Sequence, residues 1–168
     1  MIRYGRKLSI IPLVLQSYSK DYELQEASIN DTNSIISFFE EQPEDAFTFF
    51  KPHDFDAKTI KKLIRRRSYL FFLVKRGGEI VGYFFLRCFF NGKCFRGKIV
   101  HDQWRGQGIA KLMGKVSMDI TTALGMRMYG TISPENKASL ASASAVNNVR
   151  VIKELPNHYL YIEYLPKE

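Results

Sequence analysis

The 168 residues suffice for one domain with a buried core, and 45% hydrophobic with 25% charged residues is the balance of a globular protein, not of a disordered or fibrous one. No apolar run approaches the length of a membrane span, and two cysteines make neither a disulfide framework nor a four-ligand metal site. A net charge of +8 attracts anions, whether nucleic acid, acidic membrane or phosphorylated small molecules.

Residues 1–21 read as an N-terminal extension and 22–168 as a single domain. The apolar stretch 8–15 follows Arg3, Arg6 and Lys7 in the manner of a leader, but it is short, contains Pro12 and lacks a small-residue cleavage site; it is expected to be a strand. A strand over 22–27 leads to Asn30 and Asp31, which cap a helix over 32–41 that Pro43 ends. The segment 44–55 then carries Phe47, Phe49, Phe50 and Phe55, suited to core or lid packing or to one wall of an acceptor pocket. A second helix over 56–66 buries Ile60, Leu63 and Ile64 and leaves Lys58, Lys61, Lys62 and Arg65 outside, with Arg66 and Arg67 following.

Three strands in a meander follow, over 68–75, 79–89 and 93–100, turned by Gly77-Gly78 and Asn91-Gly92. Cys88 and Cys94 flank the second turn as neighbours across a hairpin; free thiols in a cytoplasmic protein are the simplest reading. The third strand runs directly into Gln103-Trp104-Arg105-Gly106-Gln107-Gly108-Ile109-Ala110. Ile109, Leu112, Met113, Val116 and Ile120 then recur at helical spacing. Glycines at a strand-to-helix junction admit close approach of a ligand to the backbone, and the unpaired N–H groups of the first helical turn favour an anion. This is a phosphate cradle. It is not a P-loop, which needs a Lys-Ser or Lys-Thr pair, nor a Rossmann fingerprint, whose third glycine is replaced by Lys111.

Gly125 stops the cradle helix, and a strand over 127–132 should lie parallel to the one before the cradle, since a helix intervenes. Ser133-Pro134 reads as an N-cap with proline at the first helical position. The helix over 137–146 is rich in alanine and serine and so admits close approach of a backbone or a ligand. Two strands, 149–155 and 158–165, close the chain around Pro156-Asn157.

The pattern Q/R-x-x-G-x-G/A, here Gln103, Gly106 and Gly108 after Val100-His101, resembles the acetyl-CoA motif of the GNAT N-acetyltransferase superfamily, and the element order is similar from residue 22 to 165. That resemblance implies an α/β (α+β) fold: a mixed, mostly antiparallel sheet splayed in the middle and flanked by about four helices. It implies that backbone groups of Ile99, Val100 and His101 hold the pantetheine arm. The amides of Arg105, Gly106, Gln107, Gly108, Ile109 and Ala110 would hold the pyrophosphate, and Asn136 would contact the thioester-bearing arm. Acetyl-CoA is the implied co-substrate, with no metal. The chain departs from the family in two places. Ala143 stands where many members have a tyrosine, and the strand 93–100 has no carboxylate. The stand-ins for acid and base are His101, Ser142, Ser144, Tyr159 and Tyr161.

The expected activity is transfer of an acetyl group to the primary amine of a small acceptor by direct attack in a ternary complex. The basic helix suggests a phosphate-bearing or nucleotide-linked amino sugar. No membrane partner is expected. Two other readings stand beside it: a degenerate GNAT-like protein that binds acyl-CoA without turnover, and a nucleic-acid module using basic residues beside the phenylalanine segment.

Overall fold

Strands β2 (Tyr69–Arg76) and β3 (Glu79–Cys88) are buried along most of their length because both sheet faces are covered. Leu70, Phe72 and Val74 turn to one face, Tyr69, Phe71 and Leu73 to the other, as strand alternation requires. Around this pair lie β1 (Glu23–Glu26), β4 (Lys93–Val100), β5 (Arg127–Ile132), β6 (Asn147–Glu154) and β7 (Leu160–Pro166). The computed structural model describes residues 8–168. Among them the seven strands form one sheet in the order β1-β2-β3-β4-β5-β7-β6. Every pairing is antiparallel except β4 with β5.

That one parallel pairing is short. Lys93, Cys94 and Phe95 pair with Arg127, Met128 and Tyr129, and the register then stops. The remaining length of β4, from Arg96 to Val100, lines a cavity opposite Thr131 and Ile132 of β5. The sheet is therefore splayed in its middle, the mixed α/β arrangement expected.

On one face, α1 (Ile11–Tyr18), α4 (Ile109–Ala123) and α5 (Lys137–Val146) pack against the sheet. On the other lie α2 (Thr32–Glu40) and α3 (Ala57–Ile64), with an aromatic cluster beneath them. Five α-helices thus flank the sheet among the described residues, one more than expected. The extra one is α1, where a strand was expected over 8–15. Pro12 sits in its first turn, where the missing N–H costs nothing, and Ile11 and Leu15, four residues apart, bury together. Leu13 is left 61% exposed. Tyr18 donates to Asp119 of α4 at 2.5 Å, and burial together with that carboxylate pushes its phenol up to about 12. This stretch of the expected extension is therefore built into the core. Arg3, Arg6 and Lys7, which precede it, lie outside the described residues.

The helix-start reading also shifts. Ser133 is buried and its hydroxyl accepts from the Glu135 N–H, making a turn; Asn136 caps α5 by accepting from the Ser139 N–H at 3.1 Å. Cys88 and Cys94 are direct cross-strand partners with free thiols, Sγ to Sγ 3.6 Å.

Candidate active site

The cradle is built by backbone conformation. Gly106 and Gly108 have φ of +75° and +82°, values that L side chains rarely adopt, and a Cβ at either would meet nothing within 4 Å. Gly108 is the N-cap of α4 and brings no side-chain oxygen to satisfy the first-turn N–H groups. The start of α4 is thus an uncapped, positively polarised end facing open space, which is a setting for phosphate.

Four side chains hold the cradle in place. His101, 8% exposed, accepts from the Gln103 N–H at Nδ1, which leaves Nε2 to donate to Glu41 at 3.1 Å. Gln42 accepts from the Asp102 N–H at 2.8 Å while donating to the Phe38 carbonyl at 2.7 Å. The Arg76 guanidinium lies over the Trp104 ring at 5.5 Å. Glu41 and Gln42, just past the end of α2, clamp the loop after β4, and both ring nitrogens of His101 are engaged in that clamp.

Above the cradle opens a cavity of about 1080 Å³ between β4 and β5. Ile99, Val100, Arg105, Gly106, Gly108, Ile109, Ala110 and Asn136 line it, as do Ser142 and Tyr159. His101, Gln107, Ser144 and Tyr161 do not; Tyr161 stacks on Tyr129, with centroids 5.5 Å apart, and Ser144 faces solvent. Ala143 is fully buried in the core beneath the cavity, so α5 presents Ser139 and Ser142 instead. The position where the family often carries tyrosine is turned away from the cavity in this chain.

Residues 45–52 supply the opposite wall, including Phe47 and Phe50. Phe47, Phe50 and Phe55 also pack against the second core cluster, the core packing expected of the segment. His53 hooks this segment down: Nδ1 donates to the Asp54 carbonyl and Nε2 accepts from Tyr83 OH at 2.9 Å. Burial holds its imidazole below the usual histidine range. The basic residues of α3 are exposed and do not reach the cavity; its cations are Lys51, Arg96, Lys98, Arg105 and Lys111.

Sequence reasoning missed Lys98. Its Nζ donates to the Ala110 carbonyl at 2.8 Å and to Ser142 Oγ at 3.0 Å, joining β4, α4 and α5. Burial, reinforced by the Arg96 charge, pushes its ammonium down to about 6. The signal in the sequence was two cations, Arg96 and Lys98, at strand spacing on the face that should have been apolar.

The site has one immediate test. Gly108→Val should weaken CoA binding at least about tenfold, through a forced φ and a side chain in the approach path. Calorimetry showing equal affinity for CoA in parent and variant would remove the cradle's role.

Among the described residues no cluster of His, Cys, Asp and Glu could hold a metal, and no helix is long and apolar enough to cross a membrane. Curated protein sequences offer no match to the chain. Solved structures do. The PaiA N-acetyltransferase from Thermoplasma acidophilum, in complex with coenzyme A, aligns with a TM-score of 0.73 at 13% identity, over 88% of this chain and 100% of that one. A ribosomal L7/L12 α-N-protein acetyltransferase, RimL, in complex with CoA gives 0.73 at 15% identity over 89% and 96%. The AAC(6')-Ib structure in complex with paromomycin and acetyl-CoA gives 0.69 at 9% identity over 88% and 94%. These likenesses establish the fold. The profile of the Acetyltransferase (GNAT) family matches residues 34–143, about two-thirds of the chain and the whole of the cradle. The chain belongs to the GNAT acetyltransferase family and is an acetyl-CoA-dependent acyltransferase.

Proposed function

We propose that this protein moves an acetyl group from acetyl-CoA to the primary amine of a small acceptor, both held at once in the cavity between β4 and β5. The observation that carries this is the early end of β4–β5 pairing after Phe95 and Tyr129, directly above the uncapped start of α4. A cofactor with a phosphate at one end and an extended arm fits that shape, and the glycine backbone at 106 and 108 fits the phosphate.

Acetyl-CoA supplies an activated acyl carbon and a leaving thiolate. The chain's residues supply position. Exposed backbone along Ile99 and Val100 aligns the arm, the first-turn amides of α4 hold the pyrophosphate, and Asn136 at the head of α5 meets the arm near its reacting end. The attacking amine must be neutral, so a proton leaves it to water in the open cavity before attack. Of the candidate acids, Ser142 and Tyr159 line the cavity; the Ser142 hydroxyl donates to the Ser139 carbonyl, which leaves Tyr159 as the O–H for a departing sulfur. Much of the rate then comes from holding two reactants together.

The acceptor is approached from the side of residues 45–52, where Phe47 and Phe50 offer an apolar wall and Lys51 a cation. With the α3 cations outside the cavity, a phosphate on the acceptor has no support from that helix. Among proteins of this fold, one is named for acetylating a ribosomal protein and another is seen in complex with paromomycin and acetyl-CoA. Thiol release from acetyl-CoA against amino sugars, polyamines, amino acids and peptides should reveal at least one productive amine. Binding of CoA without thiol release on any amine would favour a non-catalytic acyl-CoA binder instead.

A further inference from the structure

Arg96 and Lys98 stand two residues apart on β4, and both point to the α4–α5 side. Arg96 is 4% exposed. Its guanidinium lies over the Tyr164 ring at 3.8 Å, and its Nη1 is buried with no hydrogen-bond partner. Neither cation is in an ion pair among the described residues. The neighbours of Lys98 are the Ala110 carbonyl of α4, Ser142 of α5 and the Arg96 charge. Ser142 Oγ passes its own proton to the Ser139 carbonyl at 3.2 Å.

Gly114 of α4 adjoins both groups: a Cβ there would clash with Val146 Cγ2 at 2.8 Å and would touch Arg96 Nη1 at 3.6 Å and Lys98 Nζ at 3.8 Å. Arg96, Lys98, Ser139, Ser142 and Tyr164 all line the cavity between β4 and β5.

A buried guanidinium cannot shed its proton, and a buried charge left unpaired is strongly destabilising. The Tyr164 face offsets only part of that cost. A buried guanidinium with no carboxylate, beside a lysine that can take up a proton, opens on a substrate cavity and is suited to an anion that arrives with a reactant. The guanidinium alone balances one negative charge, while its forked N–H groups match a carboxylate in plane. Lys98 and Ser142 add single donors beside it.

We propose that Arg96 and Lys98 form a carboxylate-binding subsite in the floor of the cleft, which selects a reactant carrying a carboxylate at its reacting end. Two reactants can carry one there: the acyl donor, as a malonyl or succinyl thioester, or the acceptor, as an amino acid with a free carboxylate. The subsite rests on the reading of the cleft as the CoA site.

Two arms of one kinetic experiment distinguish the sources. CoA binding is first confirmed by calorimetry. In the donor arm, succinyl-CoA is compared with butyryl-CoA on one uncharged-side-chain amine. In the acceptor arm, amino acids are compared with their amides at fixed acetyl-CoA. One arm should favour its carboxylate-bearing member at least about tenfold in kcat/KM, since a subsite built for a polar group rejects the analogue lacking it. Arg96→Gln and Lys98→Met should each collapse that ratio toward one. The favoured ligand should also bind with proton uptake near pH 7, because a carboxylate beside Lys98 raises an ammonium that otherwise titrates near 6. That uptake should vanish in Lys98→Met.

If CoA binds and neither arm shows a preference, the subsite is refuted while the CoA reading stands. If CoA does not bind, both fall. A preference that persists in folded Arg96→Gln overturns the assignment to these residues. Equal loss of affinity for CoA itself in both variants would reassign the cations to the cofactor and overturn it as well. Should Arg96→Gln fail to fold, the parent's ratio and the Lys98→Met ratio decide the matter.

Discussion

Replacing Phe39 by alanine should lower the stability of the protein by about 3–5 kcal/mol, the usual cost of deleting a fully buried aromatic ring. Phe39 projects from α2 and is 2% exposed. Its ring stacks on Phe55 at 4.0 Å between centroids and meets Tyr83 at 5.0 Å and Phe38 at 5.3 Å. Phe47 and Phe50, on the cavity wall, lie 6.5 and 6.4 Å away. Truncation therefore removes the support of the 45–52 wall as well as core volume. The same variant should raise the KM for the acceptor more than that for acetyl-CoA. Phe90, 94% exposed at the β3–β4 turn, is the control: Phe90→Ala should leave stability unchanged. Urea denaturation decides it, and a loss below about 1.5 kcal/mol for Phe39→Ala would show that the aromatic cluster repacks.

Gly97→Ala should be the second severe change, although it adds a single methyl group. Gly97 pairs with Phe85 across β3 and β4, and a Cβ there would stand 2.3 Å from Phe85 Cε1 and 2.6 Å from Cζ. Phe85 is 2% exposed and stacked on Tyr69 at 4.9 Å, so its ring cannot swing away freely. Overpacking of this kind costs about 1–3 kcal/mol. Both residues line the cavity, so the displaced ring also narrows it. A double-mutant cycle with Phe85→Leu gives the sharper measurement. The pair should be more stable than the sum of the single losses, because the smaller side chain relieves the clash. Additive losses would mean that Gly97 is required for a reason other than Phe85.

Much of the sheet could be read from residues whose local preferences agree with their place in it. The glycine turns at 77–78 and 91–92 and the apolar strands between them set the meander, and Gly106 and Gly108 marked the cradle by backbone freedom alone. The failures are equally physical. The stretch 8–15 is apolar enough for either element, and only docking against α4 selects the helix. The small side chains of α5 carry little periodic signal, so the sequence could not say that Ala143 faces the core while Ser142 faces the cavity. The cations of α3 are where an amphipathic helix must put them, outside, and their distance from the cleft depends on how α3 lies on the sheet. His101 offered a ring suited to proton transfer; its two nitrogens are committed by Gln103 nearby and by Glu41, sixty residues away in sequence. Lys98 is the reverse case, an ordinary surface residue type whose position between three elements gives it its altered chemistry.

The short joint between β4 and β5 bears on cooperativity. Three paired residues on each strand connect the four-stranded part of the sheet to the three-stranded part formed by β5, β7 and β6. The latter has a well-paired interior of its own, and Glu163 on β7 holds both Arg127 of β5 and Arg150 of β6 across its width. On one face α4 and a core drawn from both parts bridge the joint, so the strand pairing is its weak portion and not the whole of it. A ligand lying across the seam touches both parts and adds its binding free energy to any opening that destroys its site, about 2.7 kcal/mol at a hundred times its dissociation constant. The cleft that receives the cofactor is thus also a seam of the sheet, and occupancy strengthens it.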